Sequence, residues 1–181
     1  MEWFIPGTVL KADRAAAVDQ QFSAMFLGGG IVLSQVTGIT GLEAYTVQNW
    51  VKRGFLSPPE RKHYSLEQLC RIININMLKN VLPMERIVGL LSYINGDLGD
   101  ESDDIIADSQ LYFMFVRLAA QSRMMDTPQG RDECIAKELA DYREPVPGAK
   151  ERVEKVLTIM LTAWASAQLR LAAEQMLQEL N

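Results

Sequence analysis

Thr46-Val47-Gln48-Asn49-Trp50-Val51-Lys52-Arg53-Gly54-Phe55-Leu56 carries the most informative pattern in the chain. A helical period gathers Val47, Trp50 and Val51 on one side, with Gly54 beyond them. That side belongs on a core. The other side presents Thr46, Gln48, Asn49, Lys52 and Arg53. Gln and Asn can bond adenine bidentately in the major groove, and Arg and Lys suit guanine or phosphate. This is the chemistry of a helix that reads DNA. The same residues also fit an ordinary amphipathic helix with a solvated polar face.

The flanking sequence narrows the choice. Upstream, Val32 to Thr37 is expected as a short helix stopped by Gly38, with a turn at Thr40-Gly41. The decisive helix then runs from about Leu42 to Arg53, and Gly54 closes it as a C-cap glycine. Two short helices joined by a glycine-containing turn are the pattern of a helix-turn-helix. Downstream, Pro58 and Pro59 forbid helix and favour extended backbone. Residues 55–64 therefore have room for a ribbon of two short strands, a wing. Arg61, Lys62, His63 and Tyr64 would place two cations, an imidazole and an aromatic hydroxyl on it, side chains of the kind that fix register on phosphates. Tyr64 is equally suited to anchoring the ribbon in the core. Ser65 and Gln68 form a capping-box pair that starts the next helix. Leu66, Leu69, Cys70, Ile72, Ile73, Ile75, Met77 and Leu78 make it apolar over much of its circumference. Pro83 opens a further helix that stops near Asn95-Gly96.

Residues 31–91 resemble the DNA-binding domain of MerR-type regulators. Thr46 to Leu56 is similar to their second helix, which usually reads Thr-Leu-Arg-Tyr-Tyr-Glu and then Gly-Leu-Leu. Lys62-His63-Tyr64-Ser65-Leu66-Glu67-Gln68-Leu69 resembles the wing and third helix, and Met84-Glu85-Arg86-Ile87 the start of the fourth. More narrowly, the first hundred residues are similar to a MerR-like family catalogued as domain of unknown function 1836. Its members carry Asn-Trp/Tyr-Val/Thr-Lys-Arg/Asn-Gly-Leu, then Pro-Pro, then Lys-Tyr-Ser. The resemblance implies that Gln48 and Asn49 face the groove, that Lys52 and Arg53 end that helix, and that Arg61, Lys62 and His63 lie over the DNA backbone. Where the MerR pattern has Arg-Tyr-Tyr this chain has Gln48-Asn49-Trp50, so two phosphate-facing groups are replaced by neutral amides.

The remaining sequence reads as helix. Residues 1–30 are expected as an N-terminal helical arm ended by Gly28-Gly29-Gly30. No Gly-Lys-Ser/Thr follows that triplet, so it is a turn and not a phosphate loop. Residues 31–96 form the winged helix-turn-helix domain, and 97–181 a helical C-terminal region for dimerisation or regulation. The acidic stretch 96–104, with Asp97, Asp100 and Asp103, lacks the ligand spacing of a calcium loop. A helix is expected from Ser102 or Asp103 to Met125, another from Gly130 to Tyr142, and a last one from Gly148 almost to Asn181. In the last, Val153, Leu157, Met160, Trp164, Ala167 and Leu171 alternate steps of four and three, a heptad seam. It is expected to join two copies of the chain. The long helix of MerR-type regulators makes an antiparallel dimer, although here two helices intervene first. Tyr112, Phe113, Met114, Phe115, Met124, Met125, Met160 and Trp164 could line an apolar sensor pocket, but methionines and aromatics are also the filler of helical cores.

Composition sets the outer limits. The 181 residues are 48% hydrophobic and 23% charged, the balance of a folded globular chain. The fold class is all-α, mainly helical. The net charge of -5 argues against a surface coated for nucleic acid. Between Leu42 and Arg86, however, Lys52, Arg53, Arg61, Lys62, Arg71, Lys79 and Arg86 outnumber Glu43, Glu60, Glu67 and Glu85. A basic working surface on an acidic body follows. Cys70 and Cys134 form no paired motif, and His63 is the single histidine, so neither a metal site nor a cofactor is expected. No catalytic constellation is present, and an enzyme is not expected. No basic leader and no long uncharged apolar run are seen, so a cytoplasmic protein without a membrane partner is the expectation. Nothing in the sequence supports a small-molecule effector. The expected function is a transcriptional regulator that binds double-stranded DNA as a homodimer. The alternative is a helical adaptor that uses the winged fold to bind protein.

Overall fold

Eight α-helices carry the chain among the residues described by the computed structural model, which are 3–96, 98, 103–121 and 127–180. The fold is mainly helical. Strands β1 (Trp3–Phe4) and β2 (Lys11–Ala12) pair antiparallel, and a 3-10 turn (Ala15–Ala17) leads into α1 (Val18–Met25). Then come β3 (Ile31–Val32), α2 (Leu33–Thr40), α3 (Ala44–Lys52), β4 (His63–Tyr64), α4 (Leu66–Leu78) and α5 (Met84–Asn95). Helices α6 (Asp108–Ala119), α7 (Pro128–Glu138) and α8 (Ala149–Gln178) complete the order.

A continuous apolar core runs from Ile5 to Ala163. Its centre is α4, packed on α2, α5, α6 and α8. Ile72, Ile73, Ile75 and Leu78 are fully buried there, as expected of a helix apolar around its circumference. The capping box is formed. Gln68 N donates to Ser65 Oγ at 3.2 Å, and Ser65 N donates to Gln68 Oε1 at 2.9 Å.

Several boundaries differ from the sequence reading. Residues 3–30 are not an arm. Ile5 and Phe22 are fully buried, Tyr112 Oη donates to Pro6 O at 2.8 Å, and Asn76 Nδ2 bonds both Gly7 O and Thr40 O. Helix α2 runs through Gly38, because one glycine costs a helix only about 1 kcal/mol. It ends instead at Gly41, where φ is 69°. The ribbon expected within 55–64 pairs with itself only at its tip, through an antiparallel Glu60–His63 bridge. Strand β4 pairs with β3, Ile31 opposite Tyr64 and Val32 opposite His63. Gly30 makes this pairing fit, since a Cβ there would stand 2.8 Å from both His63 Cβ and Tyr64 O.

Helix α6 begins at Asp108 rather than near 103, since Ile105 and Ile106 are drawn into the core just before it. Thr127 caps α7 by accepting from Gly130 N at 3.1 Å. The expected start at Ser102, the end at Met125, the loop acids Asp97 and Asp100, and pocket residues Met124 and Met125 lie outside the described residues.

The long terminal helix is present, but its seam is misassigned. Val153, Leu157 and Met160 are fully buried within the chain's own core. Trp164 packs edge-on against Phe115, with centroids 6.1 Å apart. A four-three stripe is also the packing ridge of a helix in a globular bundle, and α5, α6 and α7 occupy it here. Of the expected seam, Ala167 is half-buried and Leu171 is exposed. By length and hydropathy α8 could cross a membrane. Its first half is instead the core helix just described.

Candidate nucleic-acid interface

Helix α3 presents the face that the sequence singles out. Val47 and Trp50 are buried, and Val51 packs half-buried beside them. Gln48, Asn49 and Lys52 are exposed, and Thr46 is half-buried at the edge of the face. Tyr45 belongs with them and was missed. It is 71% exposed. Positions 45, 48, 49 and 52 follow the i, i+3, i+4, i+7 spacing of one helical face, and that spacing was the available signal.

The end of α3 is fixed by its own backbone. Phe55 N donates to Trp50 O at 2.9 Å and Gly54 N to Val51 O at 3.1 Å, with Gly54 at φ 73°. This is the Schellman pairing, and the left-handed residue in it is the reason for glycine. The side chain of Arg53 turns away from the exposed face. Its guanidinium lies 3.2 Å from Glu85 Oε1 and 4.4 Å over the Phe55 ring. Arg53 is therefore held between α3 and α5, and it is less available to a ligand than its place in the sequence suggests.

The second cationic element is a tight turn. His63 N donates to Glu60 O at 2.8 Å, so residues 60–63 form a hairpin turn with Arg61 and Lys62 at its centre. Both central residues have positive φ, 48° and 70°. A type I′ turn requires this and normally recruits Asn-Gly or Asp-Gly for it. Here both side chains are long cations, and both are exposed. His63 Nδ1 lies 3.0 Å from Arg61 O and braces the same turn. Gln68 ties the preceding loop to α4, its Nε2 donating to Ser57 O and Pro58 O at 3.0 Å each.

Tyr64 is corrected as a contact residue. It is 3% exposed, and burial raises its phenol pKa. The pairing of β4 with β3 turns this ring inward and His63 outward, as alternation along a strand requires.

The basic surplus of this region is partly structural. Arg71 is buried and ion-paired to Asp108 at 3.2 Å, and Arg53 is paired to Glu85. Lys79 is half-buried, and desolvation lowers its pKa. Lys52, Arg61, Lys62 and Arg86 are left exposed. The aromatic and methionine residues read as a possible pocket are core where described, with Tyr112, Phe115 and Met160 fully buried. Among the described residues, no three His, Cys, Asp or Glu side chains stand close enough to share a metal ion.

Residues 30–115 match the family described as Domain of unknown function (DUF1836). The resemblance to that family holds at this level. The matched segment begins at β3 and extends into α6, beyond the domain boundary expected at residue 96, in keeping with the burial of α6 against α4. The chain is also similar to an uncharacterized protein, YkrK, of Bacillus subtilis (strain 168), with 28% identity over 106 residues. That alignment covers 56% of this chain and 46% of YkrK, so the chain spans about half the length of this curated relative. No solved structure matches the chain.

Proposed function

We propose that this protein is a cytoplasmic, non-catalytic transcriptional regulator that binds operator DNA as a homodimer through a MerR-like winged helix-turn-helix. One observation carries the reading. The exposed face of α3 offers Gln48, Asn49 and Lys52, and the turn that follows it in the chain displays Arg61 and Lys62. Amides on a helix suit base edges, and exposed cations on a hairpin turn suit phosphates. The order β3, α2, α3, turn, β4, α4 is what such a domain requires, and it supports the MerR-like reading.

The homodimer rests on the distal half of α8. Leu169, Ala173 and Met176 are exposed there, Leu180 is exposed in the turn just beyond it, and the four are spaced four, three and four. This is a second heptad stripe, distinct from the one the core consumes. An antiparallel pairing centred between residues 174 and 175 sets Leu169 against Leu180 of the partner subunit and brings Arg170 toward Glu179 of the partner subunit.

The test is fluorescence anisotropy with a labelled duplex from the gene's own upstream region and a scrambled duplex, over a salt series. Lys52, Arg61 and Lys62 on two half-sites make six phosphate contacts, so log K should fall with log salt at a slope of about -5. Preference for the native duplex with that slope is the expected result. Absence of binding to either duplex at low salt would overturn the regulator reading. It would leave the adaptor, which the acidic total and the exposed Tyr45 favour.

A further inference from the structure

A cleft of about 880 Å³ lies between the 60–63 turn, the first turn of α4 and the start of α6. Three polar residues that line it are nearly closed to water: Arg71 (3% exposed), Asn95 (3%) and Asp108 (8%). Arg71 Nη1 donates to Asp108 Oδ2 and Nε to Phe55 O, each at 3.2 Å. The other Asp108 oxygen, Oδ1, has no hydrogen-bond partner, and neither has the oxygen or the nitrogen of the Asn95 amide. Asn95 stands near enough to ease the Asp108 charge, but without the geometry of a hydrogen bond. Burial, the largest influence, raises the Asp108 pKa, Glu67 adds to it, and Arg71 only partly offsets the two. A buried orphan of this kind costs about 1–3 kcal/mol, and three at one cleft call for an explanation.

The charge around them selects the ligand. Among the described residues that line the cleft, acids are in excess of cations, Glu60, Glu67, Asp104 and Asp108 against Arg61 and Arg71. Glu67 is committed to α6, accepting from Ser109 N at 2.8 Å and from Ser109 Oγ at 2.6 Å. An anion would meet this excess with Arg71 already neutralised. Two of the orphaned atoms are oxygens that accept, and the third is an amide nitrogen that donates.

We propose that this cleft is a binding site for a small organic cation, a primary amine or guanidine with a neighbouring hydroxyl. Its N–H groups donate to Asp108 Oδ1 and Asn95 Oδ1, and its hydroxyl oxygen accepts from Asn95 Nδ2. The orphaned atoms are closed to bulk water, so entry parts the floor of the cleft, and the recovered hydrogen bonds offset that opening. The proposal does not rest on the DNA-binding reading, and it is tested without DNA.

The experiment is titration calorimetry on the full chain with glucosamine, ethanolamine and serinol, beside glucose and glucuronate. Each is carried to about 10 mM, above the millimolar range expected of ligands this small. At least one amine should bind, with glucose and glucuronate silent. Asn95→Leu removes the orphaned amide at similar volume. It should raise Tm and weaken amine binding at least about tenfold, or 1.4 kcal/mol. Asn74→Leu removes another buried unpartnered amide, on α4 away from the cleft, and should leave amine binding intact. Asp108→Asn, which keeps the shape, gives the same reading if Asn95→Leu does not fold. Three results would overturn the site: no amine binding, preferential binding of glucuronate, or amine binding unchanged in both cleft variants.

Discussion

Arg61 and Lys62 hold backbone conformations that glycine and asparagine adopt with ease and long side chains do not. A left-handed residue with a Cβ costs roughly 1–2 kcal/mol. Such strain persists where the surrounding structure over-determines it, and it gathers at functional sites. Replacing the pair with Asn-Gly should relax the turn, since those residues match a type I′ hairpin. Arg61→Asn with Lys62→Gly is therefore expected to stabilise the fold by about 1–2 kcal/mol in urea denaturation. If the turn serves phosphates, the same variant loses four of the six charges a dimer would bring. The salt slope of duplex binding should then drop to about -2. Gain in stability with unchanged DNA affinity would place the turn outside the interface. The sequence made these two cations legible as a ribbon tip. It did not reveal their strain, because nothing in an Arg-Lys pair signals the left-handed backbone that the two-residue turn between Glu60 and His63 requires.

At the scale of elements, local chemistry was the most readable. The Ser65 and Gln68 capping box and the C-terminal glycine of α3 form as their residue types require, because each depends on neighbours within three to five positions. Gly54→Ala leaves steric room, since nothing stands within 4 Å of an added Cβ. The whole penalty is thus the left-handed backbone, and a loss of about 1 kcal/mol is expected by thermal denaturation. The exposed face of α3 makes a different prediction. Gln48 and Asn49 touch no core residue through any hydrogen bond found in the fold, and both are exposed. Gln48→Ala with Asn49→Ala should leave Tm nearly unchanged, because surface substitutions of this kind move stability by about 0.5 kcal/mol or less. It should erase the preference for the native duplex over the scrambled one in the anisotropy assay. A fall of many degrees in Tm would show that the amides serve packing. Tyr64 marks the limit of element-scale reading. A strand of two residues has one side chain inward and one outward, and only the register against Ile31 decides which.

Across the whole molecule, what could not be read was which apolar stripe meets which neighbour. The N-terminal residues looked detachable because their apolar spacing is irregular, yet Tyr112 and Asn76 pin that segment from more than sixty positions away. The terminal helix carries two stripes of nearly the same spacing. Core packing takes the one through Val153, Leu157 and Met160, and leaves the one through Leu169, Ala173, Met176 and Leu180 uncovered. The two stripes therefore answer differently to mutation. Leu157→Ala should cost about 2–5 kcal/mol of unfolding free energy whatever the oligomeric state, as a cavity in a packed core does. Leu169→Glu with Met176→Glu touches no core contact, since those side chains are 74% and 66% exposed. Burying a large apolar side chain contributes about 1.5–3 kcal/mol, against an association cost of roughly 4–15 kcal/mol. A dimer held by Leu169, Ala173, Met176 and Leu180 from each copy is thus expected to be reversible with concentration. Sedimentation equilibrium should find dimers of the wild-type chain that dissociate on dilution, and monomers of the double glutamate variant with the Tm of the dissociated wild type. A double variant that stays dimeric would move the interface off α8. A wild-type chain that is monomeric at every concentration would leave each half-site of DNA to a separate molecule, and the salt slope would fall to about half, near -2.7.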